Sequence, residues 1–258
     1  MRNRILIKIG GRAFQKREGL LELATAMRAN ENAEFIILHG GGAEISQALE
    51  AAGHQNKFID GIRVTQAEDI KIVEEVLSQK VNRRIADSLS RKDVTCRRMS
   101  GKTGNLFIVE PLHRNGHDLG FVGRISKVDA TVVNDALVKD SVPVISPISA
   151  DKNAATYNVN ADTAASELAA AAACTDLIFF TDVPGVMVDD KRCATLSGRE
   201  AAELIEAGVI KGGMVAKIEA ALKALKKVAR VHILQWCGPQ TLSQLVNGQC
   251  DSGTIVCS

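Results

Sequence analysis

The sequence has few aromatic residues, which make up 3% of its 258 positions, and little net charge. Lysine and arginine together number 32, against 30 aspartate and glutamate residues. Without a basic surplus or aromatic residues for base stacking, the protein is not expected to bind nucleic acid. Its apolar runs reach only about ten residues, whereas a bilayer-spanning helix needs about 20, so no membrane association is expected.

The sequence also lacks the cysteine spacings of metal sites. None of its six cysteines forms a C-x-x-C pair, and no cysteine and histidine pair has zinc-finger spacing, so no metal site is predicted. The N-terminus, MRNRILIKIGGR, has no continuous apolar segment or small-residue cleavage site of an export signal. We therefore expect a cytoplasmic protein with free thiols, most of them buried.

Short aliphatic segments alternate with longer amphipathic ones. The aliphatic segments predict strands at 4–9, 34–39, 142–147, 176–181, 230–235 and 253–258. The amphipathic segments predict helices at 18–29, 41–52, 66–91, 160–173, 199–207 and 213–227. This alternation predicts a three-layer α/β/α sandwich with a mainly parallel central sheet. We expect one continuous domain with two lobes, residues 1–175 and 176–258.

Residues 94–130 interrupt this alternation. They carry turn signals at Gly101-Lys102-Thr103-Gly104 and at Asn115-Gly116. We predict hairpins inserted on one edge of the sheet.

Glycines follow two of the predicted strands, and a lysine lies inside the first. Lys8 precedes Gly10 and Gly11, and the second strand ends in His39 and the glycines at 40–42. Glycines let the backbone approach an anion, and a following helix N-terminus offers free N–H groups. Neither segment has the P-loop or the dinucleotide-binding pattern. One glycine pair would indicate only a tight turn, but two clusters beside a lysine favour an anion site.

Three further segments are candidates for function. Arg63, in "DGIRVT", either holds a carboxylate or forms a surface salt bridge, and Thr65 is a candidate N-cap of the helix that follows. Asn160 and Asp162 lie at the start of an alanine-rich helix, which either of them could cap. Lys217 follows Gly212-Gly213 and lies near the edge of a buried helical stripe, so it is either functional or solvated.

These segments together resemble the amino acid kinase family, over nearly the whole chain and in the right order. The matching motifs are K-x-G-G at 8–11, H-G-G-G at 39–42, G-I-R-V-T at 61–65, S-G-K at 100–102, D-L-G-F-V-G at 118–123, N-V-N-A-D at 158–162, T-D-V-P-G-V at 181–186 and G-G-M-x-x-K at 212–217. The G-I-R-V-T and N-V-N-A-D motifs are most similar to the branch that acts on N-acetyl-L-glutamate. The resemblance implies phosphoryl transfer from ATP to the side-chain carboxylate of that substrate, in arginine biosynthesis.

The resemblance also implies roles for individual residues. Lys8 and Lys217 would act on the transferring phosphoryl group and its leaving group, and Asp162 would hold both lysines. The acylated amino acid would be bound by Gly41, Gly42, Arg63, Asn158 and Asn160, with Arg63 on its α-carboxylate. The nucleotide would lie against Gly10, Gly11, Thr181, Asp182, Val183, Gly185, Val186, Val209, Lys211 and Gly213.

The implied cofactor and partners follow from the same resemblance. Mg²⁺ would be held mostly by the oxygens of ATP and by water, without a dedicated metal site. The first predicted strand begins near Arg4, which leaves no room for the extra N-terminal helix of arginine-inhibited relatives. We therefore expect an arginine-insensitive homodimer whose interface includes the helix at 66–91. A regulatory partner of the PII type remains open.

The chain departs from the family's usual pattern at a few positions. Ala216 replaces a common proline before the second lysine, and Thr103 follows S-G-K in place of aspartate. Trp236 and Cys237 stand where a D-G-R type turn is common, which could alter one wall of the nucleotide site.

Other functions remain open at this point. The nearest is another amino acid kinase, acting on carrier-bound aminoadipate, glutamate, aspartate or UMP. A ligand-binding pseudokinase would be expected to have lost Lys8, Asp162 or Lys217, and all three are present. A Rossmann dehydrogenase is disfavoured because its glycine fingerprint is missing.

Overall fold

Aliphatic segments form strands and amphipathic segments form helices along most of the chain. The computed structural model describes residues 2–10 and 12–257. The strands in these residues are β1 (Asn3–Ile9), β2 (Ala33–His39), β3 (Phe58–Ile59), β4 (Ile62–Arg63), β5 (Cys96–Ser100), β6 (Phe107–Arg114), β7 (His117–Val128), β8 (Val142–Ser146), β9 (Ile148–Ala150), β10 (Thr156–Asn158), β11 (Asp176–Thr181), β12 (Met187–Val188), β13 (Lys191–Arg192), β14 (Thr195–Ser197), β15 (Arg230–Gln235) and β16 (Thr254–Cys257). The α-helices are α1 (Arg17–Arg28), α2 (Gly42–Ala51), α3 (Ile70–Glu74), α4 (Asn82–Ser90), α5 (Thr131–Val138), α6 (Ala161–Ala171), α7 (Gly198–Glu206), α8 (Gly213–Ala224) and α9 (Pro239–Val246).

Eight of these strands form the central sheet, in the order β14-β16-β15-β11-β1-β2-β8-β5. All neighbouring strands are parallel except the antiparallel pair β15 and β16. The predicted mainly parallel sheet is therefore confirmed. Strands that precede residue 175 fill one half of the sheet, and strands that follow it fill the other half. Among the described residues, no helix is both long and apolar enough to cross a bilayer.

Alternate side chains of the central strands pack into two separate cores. Leu6 on β1 belongs to a core that includes residues of α5, α6 and α8. Its neighbours Ile5 and Ile7 belong to a second core, which includes residues of α1, α4 and α9. Because successive side chains of a strand point to opposite faces, helices on both sides are needed to bury them. This arrangement gives the predicted three layers.

The prediction for residues 94–130 was only partly right. Strands β6 and β7 form the predicted hairpin, with its turn at Asn115-Gly116, where both residues have positive φ. The hairpin does not extend the central sheet, because it closes a small barrel with β9 and β10. Strand β5 is not part of a hairpin and pairs in parallel with β8 as the edge strand of the central sheet. Its two consecutive arginines, Arg97 and Arg98, are both exposed, and only Met99 is buried.

The predicted N-cap at Thr65 was wrong, because α3 begins five residues later. The backbone of Thr65 instead pairs with β7: its N–H donates to the carbonyl of Leu119, and its carbonyl accepts from the N–H of Phe121. The helix predicted at 66–91 consists of α3, a π-helical segment (Glu75–Val81) and α4, which follow one another without a break. The π-helical segment was not predicted.

A buried carboxylate joins β11 and β15 at their amino ends, far from the glycine clusters. Both Asp176 oxygens accept from Arg230, at 2.6 Å from Nε and 3.0 Å from Nη2, and Oδ2 also accepts from the Thr175 hydroxyl. Burial alone would raise the pKa of Asp176, but the neighbouring His232, Arg230 and Thr175 outweigh it and lower the pKa to about 2. The negative charge of Asp176 therefore stabilises the native state at neutral pH.

We expect Asp176→Asn to destabilise the protein by about 1–3 kcal/mol at pH 7, because a buried charge-assisted pair is lost. An unfolded aspartate titrates near pH 4, so the stabilisation by Asp176 is present above that pH and is lost as the pH falls towards 2. The difference between wild type and variant should therefore shrink by about 1 kcal/mol at pH 3. Urea unfolding at pH 7 and pH 3 measures it. Asp135→Asn, at an exposed position of α5, is the control. A stability difference between wild type and Asp176→Asn that does not change with pH would contradict the prediction.

Candidate active site

The carboxyl ends of the central strands open into a cleft of about 420 Å³. Ligands of open α/β sheets bind at such ends. Residues from β1, β2 and the segment that leads into α6 line this cleft, together with Asp182, which follows β11. It includes the following predicted site residues: Lys8, Gly10, Gly41, Gly42, Arg63, Asn158, Asn160, Asp162 and Asp182. Gly11 lies outside the described residues.

Three charged side chains from distant parts of the sequence meet beside this cleft: Lys8 and Asp162 line it, and Lys217 lies behind Asp162, outside the lining. Lys8 Nζ on β1 lies 3.0 Å from Asp162 Oδ1 on α6. Lys217 Nζ on α8 donates to Asp162 Oδ2 at 2.8 Å. The exposed fractions are 8%, 9% and 7% for Lys8, Asp162 and Lys217. One buried carboxylate is thus shared by two ammonium groups, which leaves this cluster with a net positive charge.

Burial and charge act against each other in this cluster. Burial alone would raise the pKa of Asp162, but Lys8 and Lys217 outweigh it and hold the pKa well below its usual range. Asp162 is therefore ionised at neutral pH and is not suited to accept a proton. Burial lowers the pKa of Lys217, and Lys8 lowers it further, against the opposing effect of Asp162. An anion bound in the cleft would relieve the repulsion between the two lysines.

Gly10 leaves room for the Lys8 ammonium. A Cβ atom at Gly10 would lie 2.7 Å from Lys8 Nζ and 3.1 Å from the carbonyl oxygen of Phe180. Any larger residue would therefore displace the ammonium group or the backbone of β11. A glycine two residues after Lys8 therefore lets the ammonium group keep this position.

Arg63 is buried, so the alternative of a surface salt bridge is wrong. Its Nη2 donates to the carbonyl of Gly42 and to the Ser46 hydroxyl, each at 2.9 Å. Its Nη1 donates to Asn56 Oδ1, and its guanidinium lies 4.6 Å from the centre of the Phe58 ring. These contacts fix the guanidinium at the side of the cleft that holds Gly42.

The two asparagines of the N-V-N-A-D motif have different neighbours. Asn158 Nδ2 donates to the Thr65 hydroxyl at 3.2 Å, which connects β10 to the segment after Arg63. Asn160 Oδ1 accepts from the N–H groups of Asp162 and Thr163, each at 3.0 Å. The capping alternative therefore holds for Asn160 but not for Asp162, whose oxygens face the lysines.

The other predicted nucleotide residues lie outside the cleft lining. Thr181 ends β11, and Gly213 begins α8. Val183, Val209 and Lys211 are exposed. Val186 is buried, and its N–H donates to the Thr254 hydroxyl at 2.8 Å; Gly185 lies against the same residue. Strand β16 thus contacts the T-D-V-P-G-V segment through Thr254.

Trp236 packs behind the cleft. Its ring lies 5.5 Å from that of Phe14 and 5.2 Å from that of Phe180, measured between centroids. Its Nε1 donates to Glu22 Oε2 at 3.0 Å, which ties the end of β15 to α1. Because Phe14 lines the cleft, Trp236 supports one wall of it from the core.

Several cleft residues were not predicted. His39, Glu44, Phe58 and Arg84 line the cleft, and Arg84 Nη2 donates to Glu44 Oε1 at 2.7 Å. His39 belongs to the H-G-G-G motif, and its place before three glycines was the available signal. The other three carry no motif, and only the fold brings them to the cleft.

The residues around the cleft do not form a metal site of their own. Within the described part of the chain, no group of three or more histidine, cysteine, aspartate or glutamate side chains could hold a metal ion. The donor set of the cleft instead consists of ammonium groups, a guanidinium and glycine backbone. Such donors fit a phosphate group and its own bound cation better than a bare metal ion.

This chain belongs to the amino acid kinase family, whose family model matches residues 3–235. Among curated relatives, the acetylglutamate kinase of Pseudothermotoga lettingae is 37% identical over 240 residues, which cover 92% of this chain and 85% of that protein. The acetylglutamate kinase of Methanococcus aeolicus is 36% identical over 268 residues, covering 98% of this chain and 91% of that protein.

Solved structures share the same fold. A protein of Streptococcus mutans superposes with a TM-score of 0.86 at 26% identity, and the match covers 99% of both chains. The N-acetylglutamate synthase of Neisseria gonorrhoeae, solved with coenzyme A and N-acetyl-glutamate, has a TM-score of 0.86 at 22% identity. That match covers 99% of this chain and 59% of the synthase, and it is a likeness of fold.

Proposed function

We propose that this protein transfers the γ-phosphoryl group of ATP to the side-chain carboxylate of N-acetyl-L-glutamate, a step of arginine biosynthesis. The product is N-acetyl-L-glutamyl 5-phosphate. The observation that carries the proposal is the buried cluster of Lys8, Asp162 and Lys217 beside a glycine-lined cleft, with Lys8 and Asp162 in the lining of the cleft. Curated relatives named acetylglutamate kinase, at 37% and 36% identity over most of the chain, supply the acceptor.

The chemistry of this transfer matches the groups in the cleft. The attacking group is already a carboxylate, so no general base is needed. The main obstacle is repulsion between the carboxylate and the phosphates, which fixed positive groups reduce. Lys8 and Lys217 supply two such groups, and Asp162 positions both ammonium groups without taking part in proton transfer. In-line positioning by the surrounding backbone completes catalysis.

The acceptor is held on the side of the cleft formed by the N-terminal lobe, residues 1–175. Arg63 binds its α-carboxylate through charge-assisted hydrogen bonds. Gly41 and Gly42 offer backbone N–H groups at the start of α2, and Asn158 and Asn160 line the same cleft.

The nucleotide is held mainly by the C-terminal lobe, residues 176–258. It lies against the residues that the resemblance assigns to it, which include Gly10, Gly11, the exposed Val183 and Val209, and the start of α8 at Gly213. When bound with ATP, Mg²⁺ neutralises charge on the phosphate oxygens. The remaining predicted residues of this surface are Thr181, Asp182, Gly185, Val186 and Lys211.

The proposed setting is a cytoplasmic homodimer. Its interface includes the helical residues 66–91, and arginine leaves its activity unchanged. Light scattering tests the assembly: a hexamer formed with arginine would contradict it. Binding of a PII-type regulator remains open, and a pull-down with purified PII protein would test it.

The function is tested with purified protein, Mg-ATP, hydroxylamine and a panel of acceptors. The panel holds N-acetyl-L-glutamate, L-glutamate, L-aspartate, N-acetyl-aminoadipate and UMP. Hydroxylamine traps an acyl phosphate as a coloured hydroxamate, and release of ADP reports transfer to UMP. We expect a signal with N-acetyl-L-glutamate alone. Turnover of another acceptor would move the protein to a sister branch, and no product from folded, ATP-binding protein would favour a pseudokinase.

Arg63→Lys should raise KM for N-acetyl-L-glutamate about 10- to 100-fold and leave kcat within about fivefold. The planar guanidinium binds a carboxylate through two hydrogen bonds, which a lysine cannot reproduce, and such bonds contribute about 1.5–3 kcal/mol. Steady-state kinetics at saturating Mg-ATP measure both constants. Ser46→Ala is the control, because it removes one contact of Arg63 without removing the guanidinium. An unchanged KM would exclude Arg63 from acceptor binding.

A further inference from the structure

A buried histidine contacts the first peptide of the glycine loop at 40–42. His39 ends β2 and is fully buried. Its Nδ1 lies 2.8 Å from the carbonyl oxygen of Gly40, and its Nε2 lies 3.1 Å from Asn82 Nδ2 on α4. None of the roles proposed above involves His39 or Asn82.

The orientation of the Asn82 amide follows from its other neighbours. Asn82 Oδ1 lies 2.9 Å from Arg98 Nε, which can only donate. Asn82 Nδ2 lies 2.8 Å and 3.3 Å from the carbonyl oxygens of Val144 and Met99, which can only accept. The opposite orientation would place acceptor against acceptor and donor against donor. Asn82 Nδ2, whose two hydrogens are shared among three acceptors, is therefore the donor towards His39.

This orientation determines which nitrogen of His39 carries the proton. Because Asn82 donates to Nε2, that nitrogen is unprotonated, and the ring hydrogen lies on Nδ1. Nδ1 then donates to the carbonyl of Gly40. Burial lowers the pKa of His39 to about 4, with further lowering by Arg84 and Lys8 against the opposing effects of the Gly40 carbonyl and Glu44. The ring therefore stays neutral near pH 7, and the Nδ1–H tautomer persists.

The hydrogen bond to Gly40 also determines where the next backbone donor points. In a trans peptide, the carbonyl and the N–H point in opposite directions, and no cis peptide occurs among the described residues. Since the Gly40 carbonyl faces His39, the N–H of Gly41 faces away from the ring. Gly41 lines the cleft, and Lys8 Nζ lies 4.0 Å from where a Cβ of Gly40 would be. The Gly41 N–H therefore points away from the ring, in a residue that lines the cleft as Lys8 does.

The π-helical segment before Asn82 packs against the same loop. A Cβ atom at Gly41 would lie 2.7 Å from Leu77 Cδ2 and 3.3 Å from Val81 Cγ2. Both leucine and valine belong to the segment Glu75–Val81. A π-helical turn holds one more residue than an α-helical turn and so changes which side chains face the loop. This segment thus brings two apolar contacts and the Asn82 amide to the glycine loop together.

We propose that His39 and Asn82 are positioning residues, which fix the peptide between Gly40 and Gly41 so that the Gly41 N–H is a preorganised donor to an anionic oxygen of the bound substrates. This inference rests on the proposed phosphoryl transfer. Neither side chain is exposed, at 0% for His39 and 1% for Asn82, so each acts through the glycine loop. Their effect is that the donor is in place before the reaction and needs no reorganisation during it.

Two substitutions of His39 distinguish the contribution of Nδ1 from that of Nε2. The amide of asparagine reaches the place of Nδ1 and can still donate to Gly40, whereas the amide of glutamine reaches the place of Nε2 and keeps only the contact with Asn82. We expect His39→Gln to lower kcat about 10- to 100-fold, with KM for both substrates changed less than about threefold. His39→Asn should retain at least about tenfold more activity than His39→Gln. Equal kcat values for two folded variants would overturn the proposal.

The tautomer itself is tested without relying on activity. In protein labelled with ¹⁵N-histidine, the His39 signals are identified among five histidines by their absence in His39→Asn. We expect a protonated Nδ1 in the wild type and partial transfer of the proton to Nε2 in Asn82→Ala, together with a lower kcat. A protonated Nε2 in the wild type would overturn the proposal even if the variants of His39 fail to fold. If the wild-type protein has the expected tautomer but phosphorylates none of the acceptors in the panel, the proposed function is contradicted and the tautomer is not.

Discussion

Lys8→Met should lower kcat about 100- to 1000-fold while the protein stays folded. Methionine fills nearly the same volume as lysine but carries no charge, so it removes one of the two ammonium groups that face the transferring phosphoryl group. The loss of one preorganised donor costs about 3–4 kcal/mol of transition-state stabilisation. The fold should tolerate the change, because Asp162 keeps its ion pair with Lys217 and the repulsion between the lysines disappears. Initial rates of ADP release, with both substrates saturating, measure kcat.

The control for this variant replaces an exposed lysine by methionine in the same way. Lys223 lies on α8, the helix of Lys217, and pairs with Glu167. Lys223→Met should therefore leave kcat within about twofold of wild type, since an exposed ion pair contributes at most about 1 kcal/mol. If Lys8→Met kept more than a fifth of the wild-type kcat, Lys8 would not act on the reacting phosphate.

Much of the fold was accessible from the sequence because its strands are strongly aliphatic. β1, β2, β11 and β15 lie within one residue of their predicted bounds, since strands buried on both faces carry nearly continuous apolar residues. Edge elements gave weaker signals. β5, whose Arg97 and Arg98 are both exposed, was assigned to a hairpin, and the eight-residue helices α5 and α9 were not predicted.

The residues of the candidate site divide in a similar way. Lys8, Asp162 and Lys217 were found because each stands in a motif beside glycines or at a helix start. That Asp162 lies between the two lysines, 3.0 Å and 2.8 Å from them, depends on the packing of α6 and α8 against β1. Contacts such as Arg84 with Glu44 link residues 40 positions apart, and no local pattern marks them. The π-helical turn that aims Asn82 at His39 likewise has no signal in a single sequence.

Asp162→Asn should both inactivate and destabilise the protein. Without the carboxylate, two buried ammonium groups remain close together with no opposite charge between them. Removing one partner of a buried ion pair costs about 3–5 kcal/mol. The variant can reduce this cost only if a lysine gives up its proton, and the pKa of Lys217 is already lowered by burial. A neutral Lys217 would bind phosphate poorly, so kcat should also fall at least about 100-fold.

The pH dependence of stability distinguishes this explanation from simple loss of packing. An unfolded lysine holds its proton up to about pH 10, whereas Lys217 in the folded variant would release it at lower pH. Between the pKa of Lys217 in the folded variant and that of an unfolded lysine, the unfolded state binds more protons. The free energy of unfolding should therefore rise with pH in this range. Urea unfolding at pH 7, 8 and 9 should therefore show a rise that is steeper for Asp162→Asn than for wild type. Glu167→Gln, which removes a carboxylate of the same helix, should follow wild type. A variant equally unstable at all three pH values would mean that Asp162 acts through packing and not through its charge.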